Sequence, residues 1–364
     1  MTRRLEYLDS VRGLAALSVL FSHYNLSFGL PKSVEKLMTN TPLHIWWDGF
    51  AAVSLFFVLS GFVLSIRFFG EGKIRLAEFN YRKYTIARFF RIWLPYFFVF
   101  VSSLLIWLAF KRSWTTLPPQ SEWFHDLWND FGTPLNLFQE SALVLRGGHA
   151  VVPQAWTLTV ELIVSLFVPL GARIASIHAI WIFIPEILVM YFLKNPLFLI
   201  HFALGILLAK IYCQRKQWLR ENISRGFWPI LGVGLLLYTF RFSVAPYFPS
   251  LVPKNRIWYF TGIGSFVILA CIVSNDRIQN ILNHDTLRFL GRISYSLYLC
   301  HFAVIIAFAP AFISFMNSAG IRNANLAWLL GLVATLAVTL AASTIVERWI
   351  EKPSIQLGKW LARP

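Results

Sequence analysis

The sequence predicts an all-α integral membrane protein of about ten transmembrane helices with both termini in the cytoplasm. Three observations carry the prediction. Hydrophobic residues make up 57% of the 364 and charged residues only 14%, a balance foreign to soluble domains. Apolar runs of roughly 18 to 22 residues, the length needed to cross a bilayer, recur along the chain. Lysine and arginine fall unevenly between the segments that separate those runs.

The apolar windows cover residues 11–30, 49–66, 92–110, 155–173, 177–193, 196–211, 227–242, 257–273, 293–313 and 324–346. The fifth and sixth are short and separated only by Lys194 and Asn195. With the N-terminus inside, about 23 of the 33 basic residues fall in inner segments and about ten in outer ones, the excess expected of cytoplasmic loops. This asymmetry accounts for the formal charge of +16 without a nucleic-acid partner. The basic start at Arg3 and Arg4 resembles a secretory signal, but no small-residue cleavage site follows Leu30, so the first helix is expected to be retained. The whole chain, 1–364, reads as a single membrane domain with no appended soluble domain. Cys213, Cys271 and Cys300 form no pair motif, which predicts neither a disulfide nor a cysteine-bound metal.

Polar groups inside apolar windows are costly and mark candidate function. Arg12 and His23 stand 11 residues apart in the first window and return to within roughly 20° of one helix face, a stripe about 16 Å long. Arg12 serves equally as a positive-inside anchor, and His23 as a hydrogen-bond partner for a neighbouring helix. Glu161 sits about six residues into the fourth window, at a depth similar to His23, and a carboxylate beside an imidazole orients a general base. Pairing of Glu161 with an unrelated Arg or Thr explains it as well.

In the inner segment 67–91, Arg88 and Arg91 lie one helical turn apart with Arg82 and Lys83 upstream. Such guanidinium pairs suit coenzyme phosphates or anionic lipid headgroups. Ser60 and Gly61 make a small step in a bulky helix, which suits close packing or a ligand near the backbone. Tyr295 and His301 are further candidates in the ninth window, and Glu347 and Glu351 are expected to pair with inner arginines. The outer segment 111–153 carries Trp114, Pro118, Pro119, Trp123, Trp128 and Pro134, and its tryptophans suit sugar stacking or an interfacial belt. His44, His125 and His149 lack ligand spacing, so no metal is assigned.

Six blocks in order resemble the membrane-bound acyltransferase 3 family, O-acyltransferases of bacterial surface and secreted carbohydrates. They are L-D-S-V-R-G-L-A-A-L-S-V-L-F-S-H (8–23), F-F-V-L-S-G-F (56–62), R-F-F-R-I-W-L-P-Y (88–96), W-T-L-T-V-E (156–161), L-G-R-I-S-Y-S-L-Y-L-C-H (290–301) and V-E-R-W-I-E-K-P (346–353). The resemblance implies transfer of an acyl group, most often acetyl, from cytoplasmic acyl-CoA to a hydroxyl of a carbohydrate or glycolipid at the outer face of the bacterial inner membrane. It implies His23 as catalytic histidine, Arg12 on the donor path, Arg88 and Arg91 on coenzyme phosphates, Glu161 at the family's glutamate position, and no metal. Two departures stand out: Ser54 replaces a frequent acid, and Leu162 removes any second carboxylate. The alternatives are a proton-coupled transporter or flippase and a non-catalytic partner of a polysaccharide synthase.

Overall fold

The computed structural model describes residues 5–70, 73–74, 79–114, 121–128, 131–144, 149–193, 198–248 and 256–363. Each of the ten apolar windows falls on helix, because in lipid a backbone must satisfy its own hydrogen bonds. Among the described residues, six helices are long and apolar enough to cross a membrane, or seven if one bent pair is a single span. Those six cover Gly49–Phe68, Tyr81–Ala109, Ala155–Ile177, Ile257–Ser274, Asp285–Ser318 and Ala324–Leu361. The weak fifth and sixth windows hold shorter apolar helices, Ala179–Val189 and Leu199–Gln214, and the seventh breaks by 81° between Phe227–Tyr238 and Phe240–Tyr247.

Local chemistry sets the ends. The first helix, Glu6–Phe28, places Glu6 and Asp9 in its first turn, where the helix dipole favours negative charge. It stops at Gly29, whose φ of 70° suits glycine and whose N–H donates to the Asn25 carbonyl at 2.7 Å, and Pro31 follows. Asp48 caps Gly49–Ser65 by accepting from the Ala51 N–H at 3.0 Å. The helix Ala324–Val346, capped by Asn323, runs into a π turn at Glu347–Glu351 before Lys352–Leu361. Single π turns of this kind re-aim side chains.

The chain divides into two compact units. The first comprises residues 1–15, 38–80 and 160–291, and the second residues 16–37, 81–159 and 292–364. In the first unit, Gly49–Ser65, Leu199–Gln214 and Ile257–Ser274 pack tightly. A side chain on Gly61 would strike the Phe202 backbone, and one on Gly205 the backbone of Val58, Gly61 and Phe62. Such small-residue crossings are how helices approach closely without a hydrophobic drive from water. In the second unit, a two-helix mainstay is Tyr81–Trp114 against the C-terminal Lys352–Leu361 helix, where Gly358 sits on Phe90.

Candidate active site

The first helix carries both ends of the polar stripe. Arg12 is partly buried and pairs with Asp9 at 3.5 Å, one turn back. Beside it, Gly13 lies against the backbone of Leu290 and Gly291, and Gly291 lies against Asp9 and Ser10. The glycines of two separate sequence blocks therefore face each other. Each helix then runs ten residues further to a histidine, His23 on one and His301 on the other.

Those histidines meet within the second unit. His23 Nδ1 and His301 Nε2 are 2.8 Å apart, and the rings lie 5.1 Å apart at 14°. His301 is fully buried and His23 partly exposed. Trp123 stacks on His23 at 5.7 Å and 25°, and Phe302 stands edge-on to it at 5.9 Å. Trp123 belongs to the short helix Glu122–Asp126, whose cap Ser121 is tied to the end of the first helix. The Ser121 hydroxyl donates to the Leu26 carbonyl at 2.6 Å, and its N–H to the Ser27 carbonyl at 3.1 Å.

Residues 292–307 of the helix Asp285–Ala307 are the hub of the second unit. Tyr295 donates its hydroxyl to the Ile92 carbonyl, and Ser296 donates to Glu351 at 2.7 Å. Tyr298 shares a 2.7 Å hydrogen bond with Thr157, and the Gln154 amide donates to the carbonyls of Tyr298 and Leu299 at 3.2 Å each. One segment thus bonds residues of the third, fourth and sixth sequence blocks besides meeting His23 of the first. Tyr295 was a sequence candidate. Tyr298, Gln154 and Thr157 were not, and Tyr298 lay in plain view inside the same block.

Of the arginines expected on coenzyme phosphates, Arg82 and Arg91 are exposed and Arg88 is 7% exposed. Arg91 lies within electrostatic reach of Glu351, as expected for the acids of the last block. Glu347 instead pairs with Lys352 at 3.0 Å. Residues 71–72 and 75–78 of the basic segment lie outside the described residues, as do Pro118 and Pro119 of the outer one.

In the first unit, Ser60 donates to Glu161 at 3.4 Å, so the hydroxyl beside the glycine step meets the fourth-window carboxylate. Gly61 itself is used for helix packing. Ser54, which stands where an acid is frequent, is buried and shares a 2.8 Å hydrogen bond with Thr261. The neutral pair needs no counter-charge.

Of the outer tryptophans, the side chain of Trp114 lies outside the described residues, Trp123 stacks on His23, and Trp128 is part of the core. Trp128 is buried with its indole N–H on the Val151 carbonyl at 2.9 Å, and Trp107 donates to Trp128 at 2.7 Å. The buried Glu140 carboxylate accepts the N–H groups of Ala150, Val151 and Val152 at 2.7 to 3.2 Å. Burial pushes this carboxyl above its usual range, opposed by those three donors. Burial pushes His149 down to about 4. Among the described residues, no group of three or more His, Cys, Asp and Glu is placed to hold a metal ion.

The chain matches the acyltransferase domain of the acyltransferase 3 family over residues 5–346. It is 22% identical over 341 residues to the "Putative peptidoglycan O-acetyltransferase YrhL" of Bacillus subtilis (strain 168), covering 85% of this chain and 50% of that protein. The chain spans about half the length of this curated relative. No solved structure matches it. A family match over nearly the whole chain shows that the chain belongs to the acyltransferase 3 family.

Proposed function

We propose that this protein is a membrane O-acyltransferase that moves an acyl group, acetyl by preference, from cytoplasmic acyl-CoA to a hydroxyl of a carbohydrate or glycolipid acceptor at the outer face. The setting is the bacterial cytoplasmic membrane, with both termini inside. The observation that carries this reading is His23: a partly exposed imidazole on the first helix, hydrogen-bonded to His301 and stacked on Trp123, in a chain of this family. A fixed imidazole with one nitrogen bound and the other open is the arrangement a general base needs.

In the reaction, the acceptor hydroxyl gives its proton to His23 as its oxygen bonds to the thioester carbonyl carbon. The carbon–sulfur bond then breaks, and the thiolate leaves with a proton from the imidazolium. Arg82, Arg88 and Arg91 receive the coenzyme phosphates, the exposed Arg82 and Arg91 making first contact. Arg12 is the donor-path residue the resemblance implies, and Glu161, whose carboxylate accepts from Ser60, stands at the family's glutamate position.

Purified protein in lipid, given labelled acetyl-CoA and a polysaccharide acceptor, tests the reading. His23→Ala is expected to abolish transfer while acetyl-CoA binding persists, and Arg91→Ala to weaken that binding. Transfer by His23→Ala at the wild-type rate would reject the assignment. A proton-coupled transporter has one observation in its favour, the 81° break at Thr239, since transporters bind substrates at broken helices. Label appearing covalently on the acceptor separates the two.

A further inference from the structure

We infer that His301 is the positioning residue of the site: it holds His23 in the single tautomer whose Nε2 is the base. The inference rests on the general-base reading above and adds a residue to it.

The proton positions follow from one backbone carbonyl. His301 Nδ1 lies 3.3 Å from the Leu297 carbonyl, one turn back on its own helix. A carbonyl only accepts, so His301 Nδ1 carries the hydrogen. In a neutral imidazole the other nitrogen is then an acceptor, so His301 Nε2 presents a lone pair. His23 Nδ1, 2.8 Å away, must be the donor. His23 Nε2 is left with its lone pair, and it has no hydrogen bond among the described residues. A chain of two bonds from Leu297 through His301 thus selects the tautomer of a residue on a distant helix.

Two further features fix the pair. The carbonyls of Tyr298 and Leu299 are held by the Gln154 amide and the Tyr298 hydroxyl by Thr157, so the turn that carries His301 is pinned to the fourth sequence block. The Tyr298 ring lies 5.7 Å from that of His301. Trp123, on the helix whose cap Ser121 is tied to Leu26, stacks on His23 and packs its ring. His301 is completely buried, so its two ring nitrogens are met by the Leu297 carbonyl and by His23.

The partner here is a neutral imidazole and not a carboxylate. It selects the tautomer and orients the ring, and it stabilises the imidazolium only as a dipole. His301→Gln keeps an acceptor oxygen for the His23 donor, whereas His301→Phe keeps ring volume and removes the acceptor. We expect His301→Phe to lose about 10²- to 10⁴-fold in kcat, the scale of losing the correct tautomer in a catalytic dyad, with KM for acetyl-CoA unchanged. His301→Gln is expected to stay within about tenfold of wild type.

Histidine ¹⁵N resonances of the wild-type protein in lipid give a readout that needs no variant. They should show His23 protonated at Nδ1 and bare at Nε2. The inference is overturned by His301→Phe turning over at the wild-type rate, by His301→Gln falling as far as His301→Phe in folded protein that binds acetyl-CoA, or by resonances showing His23 protonated at Nε2. Failure of the base reading looks different: His23→Ala itself would then transfer label.

Discussion

The two compact units are held together by different physics. In the first, helices approach through glycine: Gly61 on Phe202, Gly205 on Val58, Gly264 on Tyr238 and Gly262 on His201. Its serines and threonines mostly bond carbonyls of their own helix, as Ser65 does with Gly61 and Ser265 with Thr261. The second unit is cross-linked by polar side chains reaching other segments, among them Tyr295 to Ile92, Ser296 to Glu351, Tyr96 to Glu140 and Trp93 to Ser141. Close packing rigidifies without chemistry. Polar bonds in a low dielectric rigidify and also orient reactive groups, which is why the histidine pair belongs to the cross-linked unit.

The comparison predicts that the first unit fails by steric insult. Gly205→Val places branched carbons inside the Val58 and Phe62 backbone, and the helices cannot part without losing the whole contact. We expect no monodisperse protein from this variant by size-exclusion chromatography. Recovery of wild-type yield and melting temperature would break the distinction between the units.

The second unit should fail by degrees. Glu351→Ala strips the acceptor from buried Ser296 and releases the neighbouring Arg91, at a cost of about 1–3 kcal/mol for a buried donor left unmet. Thermal unfolding should shift, and acetyl-CoA affinity with it, because Arg91 loses a neighbouring carboxyl. Glu140→Gln turns an amide N–H₂ toward the backbone donors of residues 150–152. That change is expected to cost about 1–2 kcal/mol and to lower kcat more than it raises KM, since the segment leads into Gln154 and Thr157.

The same contrast explains what could be read in advance. Helix positions were legible because an apolar run in lipid has few alternatives to helix. The break at Thr239 was not, since no proline announces it, whereas Pro353 stands just past the π turn at Glu347–Glu351. His23 was legible as a titratable group in an apolar window, and His301 as a second one. Their pairing was not, since 278 positions separate them and depth along a helix cannot rank groups lying at one level. Depth and the resemblance single out Glu161, whose carboxylate accepts from the Ser60 hydroxyl. Glu140 went unseen because an acid in a polar loop carries no sign that it will be buried.

The smallest expected effect is in pH, and it divides along the same line. In the first unit, burial pushes the cap residue Asp48 up to about 6, against the Ala51 N–H and the charge of Arg241. Its folded pKa exceeds the unfolded value near 3.8, so the folded state binds more protons between pH 4 and 6, and stability falls as pH rises through that window. In the second unit, His149 at about 4 lies below its unfolded value of 6.5, so the unfolded state binds more protons and stability is lost as pH falls from 6.5 toward 4. Wild-type protein therefore carries opposed slopes that partly cancel between pH 4 and 6. Asp48→Asn keeps a capping side chain while removing one slope, and should leave a melting temperature that climbs with pH. His149→Phe should leave one that declines. Two variants with parallel melting curves from pH 4 to 7 would show that neither group is buried as described, and the contrast between the units would then rest on packing and hydrogen bonds alone.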